Sequence, residues 1–308
     1  MRRFLAVALL GCAADPPTPY VWDTDTDSAA DTGHADTGEP EELDPVSVVR
    51  VAAGYDTTCA LDTVGTIHCW GSDYSGMDSP PPGPFVDITA GDYFACALRE
   101  DGSYACWGHE PEWPAAPESV VSLDAGSGYV CAILASREVV CGGDGATGGA
   151  ADAPPGEFVA VTAGANFSCA LGADGALACW GDNSQGQATP PAGRFGLVDA
   201  GTFHVCALSA DEGMPMCWGS NWLRESTPVG GPYVALAGGW TNRCGLEEDG
   251  SMSCWGDVVG VPQTGVYSDL SLGYGHGCAV TDAAKVVCWG SNEEGEADPP
   301  AHVRAGRW

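Results

Sequence analysis

Positive charge is what this 308-residue chain has least of: 11 Lys+Arg stand against 42 Asp+Glu, for a formal net charge of −31. Such a surface repels phosphate backbones instead of gathering them, which excludes nucleic acid as a partner. Long apolar runs are also missing. The N-terminal run Phe4 to Leu10 has seven residues, far too few to span a bilayer. Catalytic spacings are absent as well. Six histidines are scattered without an H-E-x-x-H pair, and no G-x-S-x-G elbow, P-loop or dinucleotide fingerprint occurs. The repeated Asp of the Asp-Gly pairs is turn chemistry. No enzyme activity, cofactor or metal is expected from these residues.

What is present is a repeated phrase. CALGADGALACWG from Cys169 returns as CALDTVGTIHCWG from Cys59, CALREDGSYACWG from Cys96, CALSADEGMPMCWG from Cys206, CGLEEDGSMSCWG from Cys244 and CAVTDAAKVVCWG from Cys278. A degenerate copy, CAILASREVVCGG, starts at Cys131. Seven copies at intervals of 34 to 38 residues make a repeat protein. Fourteen of the fifteen cysteines thereby fall into pairs: Cys59/Cys69, Cys96/Cys106, Cys131/Cys141, Cys169/Cys179, Cys206/Cys217, Cys244/Cys254 and Cys278/Cys288. Close C-x-x-C pairs, which a metal site would want, are absent. An even count within every repeat favours disulfides in an exported chain.

Export is signalled at residues 1–12. Arg2 and Arg3 precede the apolar run, and Leu9-Leu10-Gly11-Cys12 resembles the lipobox of bacterial lipoproteins, in which the signal is cut before a cysteine that becomes lipidated. The unpaired Cys12 thereby gains a use, while an ordinary secretory signal with an incidental cysteine is the other reading. Either way the remainder lies outside the cytoplasm, in the cell envelope or secreted, and touches a membrane only through the lipid. Residues 13–45 carry Asp, Thr, Pro, Gly and Glu without a lysine or arginine, which describes a self-repelling acidic tether. Asp23, Asp25 and Asp27 hint at a calcium loop, but Ser28 and His34 stand where an EF-hand loop needs glycine and glutamate.

Each repeat reads as three short strands separated by punctuation, as in Phe158 to Ala163, Phe167 to Leu171 and Ala176 to Trp180, with no room for a helix of ordinary length. If Ala173-Asp174-Gly175 forms a three-residue hairpin loop with Gly175 left-handed, Cys169 faces Cys179. Opposed residues of a non-hydrogen-bonded pair are close enough for a disulfide. In the pair Cys206/Cys217 a four-residue loop, Ala210 to Gly213, restores the register.

The residues Ala163-Gly164, Ala170-Leu171, Asp174-Gly175 and Trp180-Gly181-Asp182-Asn183-Ser184-Gln185-Gly186-Gln187 resemble the repeat of the regulator of chromosome condensation family. The resemblance covers about residues 46 to 308 and implies an all-β, seven-bladed β-propeller. The family's histidine position is kept only at His204 and His276, and the repeats are short. Short repeats of this kind are similar to those of the secreted β-lactamase inhibitory propellers, whose blades carry three strands. His302 to Gly306 repeats the first strand once more and is expected to complete the blade begun by Val46 to Gly54, leaving no open edge. Guanine nucleotide exchange, which the family label implies, is at odds with export, and no blade insertion is visible that could enter a nucleotide site.

Positions that change among the seven copies are free for a partner. They begin after the glycine that ends the first strand: Tyr55, Tyr93, Tyr129, Phe203, Trp240 and Tyr274 are the candidate partner-binding residues. Packing between blades is the competing role for these rings. Tyr74, Met77, Trp113 and Trp222 follow Trp-Gly as a second variable set, whereas Trp70, Trp107, Trp180, Trp218, Trp255 and Trp289 hold a fixed place and read as core. The expected protein is a monomeric binding or scaffold module with an unidentified protein partner; the alternatives are an inhibitor of an extracytoplasmic hydrolase and an exchange factor. Replacing Cys12 by Ser is expected to release the chain from membranes and abolish fatty-acid labelling, which fractionation and metabolic labelling would show.

Overall fold

The computed structural model describes residues 46–109, 119–143 and 152–305, which form seven antiparallel sheets of three strands each. Residues 1–12 and 13–45, and with them Cys12 and the acidic tether, lie outside the described residues, as does Trp113. Blade one is β1 (Val48–Ala53), β2 (Thr57–Asp62) and β3 (Ile67–Gly71); blade two is β4 (Asp87–Ala90), β5 (Phe94–Leu98) and β6 (Tyr104–Gly108). Blade three is β7 (Val120–Ala125), β8 (Val130–Leu134) and β9 (Val139–Gly142); blade four is β10 (Phe158–Ala163), β11 (Phe167–Gly172) and β12 (Leu177–Gly181). Blades five to seven are β13 (Phe195–Ala200), β14 (His204–Ser209), β15 (Pro215–Gly219); β16 (Ala235–Gly238), β17 (Asn242–Leu246), β18 (Met252–Gly256); and β19 (Tyr267–Leu272), β20 (His276–Thr281), β21 (Val286–Gly290). A single 3₁₀ turn, Tyr74–Gly76, follows β3.

The hairpins have the expected register. Cys169 faces Cys179 with Cα atoms 4.0 Å apart, Gly175 has φ +84°, and the Gly172 amide donates to the Ala176 carbonyl. The four-residue loop of blade five brings Cys206 opposite Cys217 in the same way. The disulfides are Cys59–Cys69, Cys96–Cys106, Cys131–Cys141, Cys169–Cys179, Cys206–Cys217, Cys244–Cys254 and Cys278–Cys288, so every bridge lies within one blade. The two halves of each bridge differ in burial. Cys59, Cys96, Cys131, Cys169, Cys206, Cys244 and Cys278, on the middle strands, are fully buried. Their partners on the outer strands, Cys69, Cys106, Cys141, Cys179, Cys217, Cys254 and Cys288, are only half-buried, because the third strand is the outer edge of its sheet. Each bridge contributes on the order of 2–3 kcal/mol in the loop-entropy account. Blade three, which lacks the Asp-Gly turn, makes the same hairpin with Arg137 in the left-handed region at φ +70°.

Between blades the core is apolar and shared. Val51, Ala60 and Trp70 of blade one pack with Cys278, Val280 and Val286 of blade seven. Leu61 and Ile67 pack with Phe85, Phe94 and Trp107 of blade two, and equivalent clusters join each later pair of neighbours. Five of the fixed tryptophans are buried and Trp218 is half-buried. Their indoles also tie blades together. Trp70 donates to the Glu296 carbonyl, Trp107 to Met77, Trp218 to Gln187 and Trp255 to Glu225, in each case seven residues past the tryptophan of the preceding blade.

The ring closes through these contacts, not through an added strand. Blade one is complete from its own three strands, and the C-terminal segment does not join it as a fourth. Pro300 instead sets a turn whose carbonyl accepts from the Val303 and Arg304 amides, and that turn bridges Val286 of β21. Val46 donates to His302, so the segment fastens the start of the propeller from outside blade one's sheet.

The inner strands end in Gly54, Gly91, Gly126, Gly164, Gly201, Gly239 and Gly273. A Cβ on any of them would lie 2.2–2.8 Å from the carbonyl oxygen of the next in the series, with Gly273 followed by Gly54. No side chain fits between adjacent inner strands there. By contrast, a Cβ on Gly196 would meet only the Ala210 Cα, at 3.6 Å, an ordinary van der Waals contact. Changing Gly273 to Ala is expected to cost about 2–3 kcal/mol, and Gly196 to Ala less than about 0.5 kcal/mol; thermal melts of the two variants check the difference.

Candidate functional site

The inner strands alternate. Val51, Ile88, Leu123, Val161, Val198, Leu236 and Leu270 point into the blades, and the residues immediately before and after each of them face the other way, onto a central channel of about 560 Å³. Inner strands are sheet edges whose amides need partners. Side chains of the preceding blade supply them. Asp269 accepts from the Val51 amide (2.9 Å), Ser271 from Ala53 (3.0 Å), Thr89 from Ala125 (3.0 Å), Asp124 from Ala163 (2.8 Å) and Thr162 from Ala200 (2.8 Å). Asp199 receives the guanidinium of Arg243 at 2.7 Å. These polar residues were not recognised from the sequence. Their signal is a fixed offset of two before the glycine, where Thr89, Asp124, Thr162, Asp199 and Ser271 stand.

Burial disfavours the charged carboxylate at these positions. It pushes Asp124 and Asp269 up to about 6, against the opposing pull of the backbone amides they accept from. Burial also raises Asp87, partly offset by Arg50 at 3.2 Å. The two histidines that match the family position are structural. His276 is pushed down to about 4 by burial and meets the Thr58 hydroxyl at 2.8 Å, and His204 is driven well below its ordinary value by burial. Both pack beneath the glycines of their own blades.

Just beyond the glycine ring lie most of the variable aromatics. Trp240 of blade six stacks on Tyr274 of blade seven (ring centroids 4.3 Å, 14° between planes) and Tyr274 on Tyr55 of blade one (4.2 Å). Tyr55 is 5.5 Å from Tyr93 of blade two, and Tyr74, in the loop after β3, meets Tyr93 edge-on at 5.4 Å. Five rings therefore touch in series across blades six, seven, one and two. Phe203 of blade five pairs with Trp222 at 6.0 Å. Tyr74 is 62% exposed, Tyr93 42% and Tyr274 37%. Burial and a hydrogen bond to Tyr274 raise the Tyr55 phenol.

Two aromatic-face expectations fail. Tyr129 is fully buried, with its hydroxyl donating to the Phe167 carbonyl, because it stands third after its glycine, where Phe94 and Phe167 pack, and not first or second. Met77 is buried too, its carbonyl taken by Trp107. On the same face of blades three and four the first position after the glycine is Ser127 or Ala165, so the aromatic arc is one-sided. The loops Asn183–Gln187 and Asn221–Glu225 are held by their own last residue: Glu225 accepts from Ser220, Trp222 and Leu223, and Gln187 from Gln185. Among the described residues no group of His, Cys, Asp and Glu is arranged to hold a metal.

Seven three-stranded blades around a channel with one decorated mouth define a β-propeller of the binding type. Residues 48–76, 85–110, 158–187 and 267–296, in blades one, two, four and seven, match the model of the Regulator of chromosome condensation (RCC1) repeat, so four of the seven blades carry repeats of this type. The entire ectodomain of the receptor kinase CR4 of Physcomitrella patens is 29% identical with a TM-score of 0.68, over 80% of this chain and 74% of that one. The CRINKLY WD40 ectodomain of the Arabidopsis thaliana receptor kinase ACR4 is 27% identical with a TM-score of 0.70, over 83% of this chain and 99% of that one. Human WBSCR16, at 15% identity and TM-score 0.63 over 78% and 88%, shares the fold. No curated protein matches the chain in sequence.

The raised carboxyls set a pH dependence. A folded pKa of about 6 lies above the ordinary 3.8, so stability from Asp124 is fully present below pH 3.8 and is lost as pH rises through 6. Asp124→Asn is expected to match the parent chain near pH 3.5 and to exceed it by about 1–2 kcal/mol at pH 7, as read from melts across that range.

Proposed function

We propose that this chain is an extracytoplasmic, non-enzymatic binding module whose protein partner sits on the aromatic mouth of the propeller. The observation that carries the reading is the series of five touching rings, Trp240, Tyr274, Tyr55, Tyr93 and Tyr74, on loops that vary while the blade behind them stays constant. Large rings held by their neighbours lose little entropy on binding, which is why aromatics concentrate at interface centres. Seven disulfides and the likeness to two receptor ectodomains support a place outside the cytoplasm. The lipobox-like Leu9-Leu10-Gly11-Cys12 would tether it there through a lipid on Cys12.

The test uses the soluble Cys12→Ser chain as bait for envelope proteins. Trp240→Ala with Tyr274→Ala is expected to weaken capture by about 2–4 kcal/mol and lower stability little, because Tyr274 is exposed. Trp255→Ala, in the inter-blade core and donating to the Glu225 carbonyl, is expected to cost about 3–5 kcal/mol of stability. Paired melts and capture assays separate the two. The reading fails if the mouth double variant captures its partner as the parent does. If the captured partner is an extracytoplasmic hydrolase, inhibition of that enzyme distinguishes a capping inhibitor from a scaffold.

A further inference from the structure

The cations of the propeller are segregated along its axis, whereas carboxylates stand at both ends. Hairpin turns between the second and third strands of each blade mark one end, and the glycines and aromatic rings mark the other. Strands of four to six residues hold the ends about 13–20 Å apart. Of the eight Lys and Arg among the described residues, Arg99, Arg137, Arg194, Lys285 and Arg304 lie at or next to the hairpin-turn end. Arg50 and Arg243 are paired with Asp87 and Asp199 of the inner strands. Arg224, beside Trp222, is left at the aromatic end.

Acidic groups border the aromatic arc. Asp56 follows Tyr55, Asp73 precedes Tyr74 and Asp92 precedes Tyr93, and Glu293 and Glu294 of the blade-seven loop are exposed. They are close enough to act on one another. After burial, Glu296, Glu294 and Glu293 are what raise Asp56, and Asp92 and Asp56 raise Tyr93. Like charges crowded beside exposed rings carry an unfavourable self-interaction that a cation would relieve. Tyrosine faces with adjoining carboxylates suit guanidinium and ammonium groups, by stacking and by ion pairing at once.

We infer that the aromatic mouth docks a basic partner, a Lys- or Arg-bearing segment laid across Tyr74, Tyr93 and Tyr274 with its charges on Asp56, Glu293 and Glu294. This rests on the reading of the mouth as the partner face and adds the partner's chemistry. The hairpin-turn end carries carboxylates too, but beside Arg99, Arg137, Arg194, Lys285 and Arg304 and without the rings. An acidic or neutral segment of equal apolar area meets the same rings but an uncompensated field, so the mouth discriminates by charge.

The experiment measures binding of the soluble Cys12→Ser chain to fluorescent octa-arginine, octa-lysine and octa-glutamate peptides by anisotropy at low and physiological salt. Two charge-matched triple variants are compared. One removes the mouth acids (Asp56→Asn, Glu293→Gln, Glu294→Gln), the other the hairpin-turn acids (Asp101→Asn, Asp174→Asn, Asp249→Asn), and melts confirm that both fold. Octa-arginine is expected to bind the parent chain, the mouth triple to lose about tenfold in affinity, and the turn triple to stay within about twofold. Tyr93→Ala with Tyr274→Ala is expected to lose about fivefold or more at physiological salt. Equal losses in the two triples would mean that net charge alone attracts the peptide and would overturn the inference, as would octa-glutamate binding as tightly as octa-arginine. Should the mouth double variant lose the captured partner while the mouth triple keeps it, the basic-partner inference fails and the partner face stands.

Discussion

Seven glycines set the distance between blades. At the end of each inner strand the carbonyl oxygen of one glycine occupies the space that a Cβ of the preceding glycine would need, and the series returns from Gly273 to Gly54. The contact is purely steric, yet the other inter-blade bonds depend on it. Only at that separation can Asp269 reach the Val51 amide, Thr89 the Ala125 amide and Asp124 the Ala163 amide. The same approach brings Trp240, Tyr274 and Tyr55, each one residue past its glycine, within stacking distance. A constraint on backbone packing thus produces a surface feature.

Much of the blade was legible in the sequence because its signals are local. Ten residues separate most cysteine partners, and a three-residue loop with Gly175 left-handed leaves Cys169 one possible opposite. Three strand-like runs per repeat gave three strands. The staples between adjacent inner strands were not legible, since they join residues 36 to 39 apart, or 218 apart where blade seven meets blade one, and the stapling side chain varies between Thr, Asp and Ser. Tyr129 misled because an aromatic shortly after the glycine can stand at either of two positions with opposite burial. The C-terminal copy of the first strand misled for a similar reason. His302-Val303-Arg304 has strand-like residues, but Pro300 turns the chain before a ladder with blade one can form.

Blades differ in how far they depart from the repeat while keeping its geometry. Blade three has Gly142 in place of tryptophan and a left-handed Arg137 in place of glycine, blade five has an extra turn residue, and neither matches the repeat model. Their half-cystines, Cys131 with Cys141 and Cys206 with Cys217, still stand 4.1 Å apart at Cα. A covalent link within each hairpin makes the blade tolerant of substitutions that an apolar pair would have to offset by packing.

Because every crosslink joins residues ten or eleven apart, oxidation of this chain is a short-range event. Each hairpin can close its own bridge without waiting for any other blade, so the many wrong pairings open to fourteen cysteines scarcely compete. The covalent work is complete within each blade. What remains is a purely noncovalent act, the docking of the seventh blade on the first, which no crosslink enforces.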